Sequence, residues 1–573
     1  MFIKRNNTSF NGKPYGSVLL VQGKRVPAKR PAGRPATNAP PKTVVVHETL
    51  ANLSKLPACL IDIIAAYCQN TVNPASPPSV PVSTAATAAP GDFNPSVHLG
   101  PCYGVLAALH ALARELGIVQ AVGESTRTER LALFLIYARL AHQGSRLSAA
   151  RYSEDHAVRE ILEVGSFDED DLYAALDFLD TQQERIENAL HQRAKPGTLF
   201  LYDVTSVYFE GQHNELAAFG YNRDGKKGKK QLVAGLLTDA GGEPISIQLY
   251  PGNTSDPPTF LDAVRKVKTR FGGEEMTLVG DRGMIKHLGK AALGEAKFRY
   301  VTALTDPQIR ALLQRKVFQL DLFDEKPMEV EHDHKRYVLR CNPDTRKREQ
   351  ARRTDQWEKL KAWIQARNEA VEKSSGKKKP ESSLREAQRR LKQYRLIRWI
   401  SLQLDGRKVA WTEDAKACQI EAELDGCYVV ETDLPKPAAT TQEVHDRYLD
   451  LTQVERDFRI IKTGLLEIRP VFLRKASRTR GHAVVSLLAL KLARELDRRM
   501  SPLGLTVAEA LSRLEGVRLV SLGDPEDQLW RLADSYPKAQ TEVLEKLPKL
   551  PAPMLSLGKA NRNRLKNPRR GRA

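Results

Sequence analysis

The chain has 573 residues and carries 89 Lys and Arg against 69 Asp and Glu, a formal charge of +20. That excess favours a polyanionic partner over a small substrate, and the length allows three or more domains with full-sized cores. No N-terminal segment reads as a signal peptide, no apolar run reaches the ~18–20 residues of a membrane span, and the six cysteines include no Cys-x-x-Cys pair, so a soluble, cytoplasmic protein without zinc, disulfides or membrane contact is expected.

Residues 1–70 read as a basic arm with a small subdomain. Between Lys24 and Pro35 the arm carries four Lys or Arg before Gly33-Arg34-Pro35. An extended Arg34 suits the narrow A·T minor groove, although Ala32 stands where a second Arg is expected; a flexible basic tail is the alternative. Residues 71–98 are rich in Pro, Ala, Ser and Thr and read as a linker. Residues 99–196 are mainly helical, with apolar faces in Glu129–Leu140 and Leu172–Leu179. They suit either a DNA-binding region or a plain helical bundle.

Strands follow. The run Thr198–Tyr208 is β-branched and aromatic, and Asp203 interrupts it. A carboxylate inside a buried strand is costly unless it is paired or holds a cation. Gln231–Thr238 and Pro244–Tyr250 read as two more strands of an antiparallel meander. Residues 257–271 have helical spacing, and the apolar run from Met276 ends in Asp281 at the carboxyl end of a strand, where ligands collect in sheets with helical crossovers. A short helix near 284–295 and the strand Arg299–Ala303 complete residues 197–305. Three strands, helix, strand, helix, strand is the ribonuclease-H-like order, so the expected class is α/β with a ribonuclease-H-like core. Residues 306–424 form a large insertion, with two charged helices and then strands bearing Trp399 and Trp411. Residues 425–500 return to the core, and Tyr448–Lys462, free of Gly and Pro, reads as a helix presenting Glu455. Residues 501–573 end in a basic tail that suits phosphate contact.

Two patterns point elsewhere. Gly220-x-x-x-x-Gly225-Lys226 mimics a phosphate-binding loop, but Lys227 replaces the required Ser or Thr. Lys226, Lys227, Lys229 and Lys230 fit backbone phosphates or a solvated turn. His213 and His482 read as surface or core histidines.

The sequence resembles the DDE transposases of bacterial insertion sequences, in the group with a Tyr-Arg-Glu-Lys signature. The resemblance lies in Asp203-Val-Thr-Ser206, Gly220–Gly225, Gly235–Asp239, Gly252–Asp256, Gly280–Met284, and in Tyr448, Glu455, Lys462 and Arg469-Pro470. The signature Arg falls on Leu451; of the nearby arginines Arg447, Arg456 and Arg459, only Arg459 shares the face of Glu455. The resemblance implies that Asp203, Asp281 and Glu455 hold two Mg²⁺ ions, with Mn²⁺ as a substitute, about 3.5–4 Å apart. It implies that Tyr448 and Lys462 touch the phosphate beside the cut, and that the insertion can carry an aromatic that stacks on a flipped base; packing of the tryptophans in the insertion core is the alternative. The partners implied are double-stranded DNA, as terminal inverted repeats and target, and a second copy of the chain in a synaptic homodimer at the bacterial nucleoid. A nuclease without strand transfer and a domesticated, non-catalytic DNA-binding protein are the competing expectations.

Overall fold

The computed structural model describes residues 2–10, 13–27, 43–52 and 97–551, except 194–196, 212, 227, 272–274, 375–378, 463–464, 470–472, 523–529 and 534. The chain divides into two compact units, residues 1–93 and 94–573. In the first, strands β1 (Phe2–Phe10), β2 (Lys13–Pro27) and β3 (Thr43–Asn52) form an antiparallel meander. Lys24–Pro27, the start of the basic segment, ends β2; Arg34, residues 71–96 of the linker and the basic tail lie outside the described residues.

The second unit is built on an eight-stranded mixed sheet. Strand β4 (Val97–Cys102) precedes the helices and stands apart from it. Strands β5 (Leu199–Tyr208), β6 (Gln231–Asp239) and β7 (Pro244–Pro251) form the expected antiparallel meander. Strands β8 (Thr277–Gly280) and β9 (Arg299–Ala303) extend it in parallel from β5. The predicted helix over 257–271 is an α-helix, Asp256–Lys266, followed by a π-helical turn, Val267–Phe271.

Alternation along β5 assigns its side chains to two cores. Phe200, Tyr202 and Val204 pack with Phe260, Leu278 and Leu293 under the helices Asp256–Lys266 and His287–Ala296. Leu199, Leu201 and Val207 belong to a larger core that includes Val454 and Phe458 of the helix Leu451–Lys462 and Val484–Leu496 of the helix Ala476–Met500. Ala476–Met500 also packs on Glu169–Arg193 and Arg127–Ala141, so the helices before the sheet share its core. His482 is buried there, and burial, reinforced by Arg146 and Arg139, holds its imidazole well below the usual range; His213 is exposed.

Part of the expected insertion joins the sheet. Strands β10 (Met328–His332) and β11 (Lys335–Cys341) pair with each other, and β11 pairs with the later strand Cys427–Thr432, which pairs with β9. The remainder, from the helices Pro343–Glu372 and Pro380–Gln393 to strands β12 (Ile400–Asp405) and β13 (Lys408–Glu413), has its own core of Trp357, Leu360, Ile364, Leu391 and Trp399. Trp357 meets Trp399 and Trp411 edge-on, each with ring centroids 5.8 Å apart. With Cys427–Thr432 as β14, the sheet order is β10-β11-β14-β9-β8-β5-β6-β7. Strands β15 (Arg518–Leu522) and β16 (Trp530–Leu532) form a separate small sheet with β4. Among the described residues no helix is long and apolar enough to cross a membrane.

Candidate active site

Parallel pairing of β5 with β8 sets Tyr202 beside Gly280. The next residue in each case is an aspartate, Asp203 within β5 and Asp281 just past the end of β8, so the two occupy neighbouring positions near the middle of the sheet. Asp203 Oδ1 accepts a hydrogen bond from the Val204 amide at 2.7 Å. Burial, and then the charges of Asp281 and Glu455, push its carboxyl from the ordinary 3.8 up to about 7, against the opposing pull of that amide and of Arg223. Asp281 is exposed; its Oδ1 accepts from the Arg282 amide at 2.6 Å and from the Tyr448 hydroxyl at 3.3 Å.

Glu455 comes from across the fold. The helix Leu451–Lys462 buries Leu451, Val454, Phe458 and Ile461 along one stripe and leaves Glu455 and Arg459 exposed, as helical periodicity requires. Asp457, fully buried, accepts from the Arg494 guanidinium at 2.7 Å and ties this helix to Ala476–Met500. Burial, against the pull of Arg494, raises its carboxyl to about 6.

Asp203, Asp281 and Glu455 line one cleft of about 420 Å³ together with Arg223, Arg282 and Arg459. Lys462 also lines it, with its ammonium 2.7 Å from Asp224 Oδ1. This pair fastens the segment between β5 and β6 to the helix bearing Glu455. The donor set is carboxylate oxygen only, which suits a hard divalent cation, and burial together with the neighbouring acids disfavours the charged Asp203 carboxylate, a penalty that a cation placed there would offset. Among the described residues no three His, Cys, Asp or Glu side chains are gathered closely enough to hold an ion as placed. The acids therefore border a space rather than close into a cage.

Other expected residues are distributed as follows. Arg456 turns away to Asp497, at 3.3 Å. The Lys226 ammonium lies 5.6 Å from the Tyr208 ring centroid and that of Lys230 lies 6.0 Å from Phe219, while Lys229 is exposed. Lys227 and Arg34 lie outside the described residues. Arg223, Asp256 and Arg282 line the cleft without having been singled out, although each sits inside a motif quoted above; Arg223 is ion-paired with Asp256.

Two expectations are corrected. Tyr448 does not share a helix with Glu455: it ends the helix Thr441–Leu449, and the next begins at Leu451. At the joint, the Asp450 side chain accepts from Gln453 Nε2 at 3.1 Å and its carbonyl accepts the Gln453 amide at 2.9 Å, local bonds of the kind that compete with a regular helix. Tyr448 still reaches the site, through Asp281. Leu451, four residues before Glu455 and so expected on its face, does not share the exposed side of the helix. It is 6% exposed and packs in the large core. Leu451→Arg is therefore expected to bury an unpaired charge and lower stability by about 2–4 kcal/mol; urea unfolding will check this, and unchanged stability would place the side chain in solvent.

Residues 194–492, a little over half of the chain, match the family described as the transposase DDE domain. The chain belongs to that family. Among solved structures it is similar to one titled as a cryo-EM structure of a piggyBac transposase synaptic complex with hairpin DNA, with a TM-score of 0.35 and 10% identity over 72% of this chain and 76% of that one. No curated protein matches it.

Proposed function

We propose that the chain is an insertion-sequence transposase of the Tyr-Arg-Glu-Lys type, which binds terminal inverted repeats, cleaves DNA there and joins the 3′ ends to target DNA as a homodimer. The single observation that supports this reading best is the gathering of Asp203, Asp281 and Glu455 around one cleft with Arg223, Arg282 and Arg459. The antiparallel meander β5-β6-β7 continued by parallel β8 and β9 supports a ribonuclease-H-like core.

In this reading Asp203, Asp281 and Glu455 hold divalent metal, Mg²⁺ or Mn²⁺. Bound there, such ions activate a water or 3′-hydroxyl and stabilise the leaving oxygen. The Tyr448 hydroxyl fixes the orientation of Asp281 through its hydrogen bond. Arg223, Arg282 and Arg459 place cationic groups where a scissile phosphate enters, and charge developing on its oxygens is stabilised without reorganisation. Lys462 is a positioning residue, since its ammonium holds Asp224.

The test uses purified protein and duplexes ending in the inverted repeats that flank the gene. Strand cleavage is expected in Mg²⁺, binding without cleavage in Ca²⁺, and neither cleavage nor joining in EDTA. Cleavage in EDTA would refute the metal mechanism, and cleavage without joining to a target plasmid would favour a nuclease.

A further inference from the structure

The tryptophans of the insertion pack in its own core, but two large aromatics in the segment that carries Arg223 to the cleft are not buried. Phe219 is 65% exposed and Tyr221 is 83% exposed. Both lie between β5 and β6, in a segment held by several backbone contacts. Ala218 and Gln231 exchange backbone hydrogen bonds of 3.1 and 2.9 Å. Gln231 Nε2 donates to the carbonyls of Tyr221, at 3.0 Å, and Gly252, at 2.8 Å. Gly220 lies so close to the next hairpin that an added Cβ would stand 2.1 Å from the Gly252 carbonyl oxygen, so only glycine fits between the two rings. Asn222 Oδ1 accepts from the Asp224 amide at 2.9 Å, and the Lys462–Asp224 pair joins the segment to the helix of Glu455.

An exposed aromatic pair on a fixed backbone exposes apolar area without return unless something covers it. The charge around it indicates what that is. Residues 221–230 carry Arg223, Lys226, Lys227, Lys229 and Lys230 against one acid, Asp224, and that acid is neutralised by Lys462. Cations that follow a phosphate backbone, next to rings that offer π faces to bases, are the two components of a single-strand binding surface. Arg223 places this surface at the rim of the carboxylate cleft.

We propose that Phe219 and Tyr221 form a stacking platform for unpaired bases of a DNA strand entering the cleft, with Lys226, Lys229 and Lys230 tracking its phosphates. This rests on the DNA-processing reading of the cleft. Stacking needs no base-specific hydrogen bond, so the platform takes any sequence, provided that the bases are unpaired.

The full-length protein, its Phe219→Leu/Tyr221→Leu variant and its Phe219→Tyr/Tyr221→Phe variant are to be titrated in Ca²⁺ with fluorescein-labelled oligothymidylate and with a fully paired duplex of mixed sequence. The leucine variant retains apolar bulk and every lysine. It is expected to lose about 5- to 150-fold in affinity per ring for oligothymidylate, with the slope against salt unchanged because the phosphate contacts remain. Duplex affinity should move less than about twofold, and the aromatic exchange should restore oligothymidylate binding. Equal losses on both probes, no loss on either, or a leucine variant that changes oligomeric state in gel filtration instead would overturn the platform. A wild-type protein that binds neither probe would remove the DNA-processing reading itself, whereas normal duplex binding with indifference to oligothymidylate removes the platform alone.

Discussion

Asp203→Ala, Asp281→Ala and Glu455→Ala proteins are expected to bind end DNA close to wild-type affinity in Ca²⁺ and to cut it at least about 10³-fold more slowly in Mg²⁺. Binding survives because Arg223, Arg282, Arg459 and the lysines between β5 and β6 remain. Asp203 should be the most sensitive of the three. Asp203 is paired with Leu236 of β6, and the preceding Tyr202 with Gly280 of β8, so its place on the strand is fixed. Glu455, exposed on one turn of helix, is the position at which Glu→Asp is best tolerated. Single-turnover cleavage with a parallel gel-shift assay separates the two effects. Any alanine variant that cuts at the wild-type rate removes that acid from the site, and one that loses binding in proportion to cleavage shows a structural role.

The same acids are expected to destabilise the metal-free protein. The Asp203 carboxyl stands near 7 in the folded chain against an ordinary 3.8. Between those values the unfolded chain binds fewer protons than the native one, so stability falls as pH rises from about 4 to about 7, and the full penalty persists above that window. A difference of about three in pKa corresponds to about 4 kcal/mol, arising from burial first and then from the neighbouring charges of Asp281 and Glu455. Asp203→Asn should therefore be more stable than the wild type at pH 8 in EDTA, by as much as about 4 kcal/mol, and nearly equal to it at pH 4. Mg²⁺ should narrow the gap at pH 8 by stabilising only the wild type. Urea unfolding at both pH values tests the claim, and a variant less stable than the wild type at pH 8 would contradict it.

Local patterns carried much of this fold. Strands β5 to β9 were legible because each is a short β-branched or aromatic run bounded by turn residues, and Asp203 stood out as an acid inside such a run. Asp281 was legible from its place at a strand end. Glu455 needed more, since an exposed helix carboxylate resembles many others, and its spacing from Tyr448 and Lys462 within a resemblance singled it out. What failed was non-local. Nothing near 328–341 indicates that β10 and β11 will pair onto β14, far along the chain, so those residues read as insertion. The pairing of Lys462 with Asp224 spans the molecule and leaves no spacing to detect. Leu451 misled for a different reason: a position four residues from Glu455 lies near its face in an ideal helix, yet the stripe that packs on β5 is wide enough to take it.

The lobe between β11 and β14 leaves and re-enters the sheet at one point. Cys341 and Cys427 are register partners on adjacent antiparallel strands, and the junction is braced where Arg353 meets Asp425 and where Glu349 accepts the Gly426 amide at 2.8 Å. A tight turn could join the same two strands directly and close the sheet. The lobe is thus rooted on two adjacent strands, but it is also tied at Glu421 to Arg310 of the helix Asp306–Gln314, at 2.8 Å, and its Arg395 and Ile397 line a cavity of about 1090 Å³ with Arg282 and Tyr448. A change inside the lobe therefore has a route to the acids, by way of Tyr448, which borders that cavity and donates to Asp281.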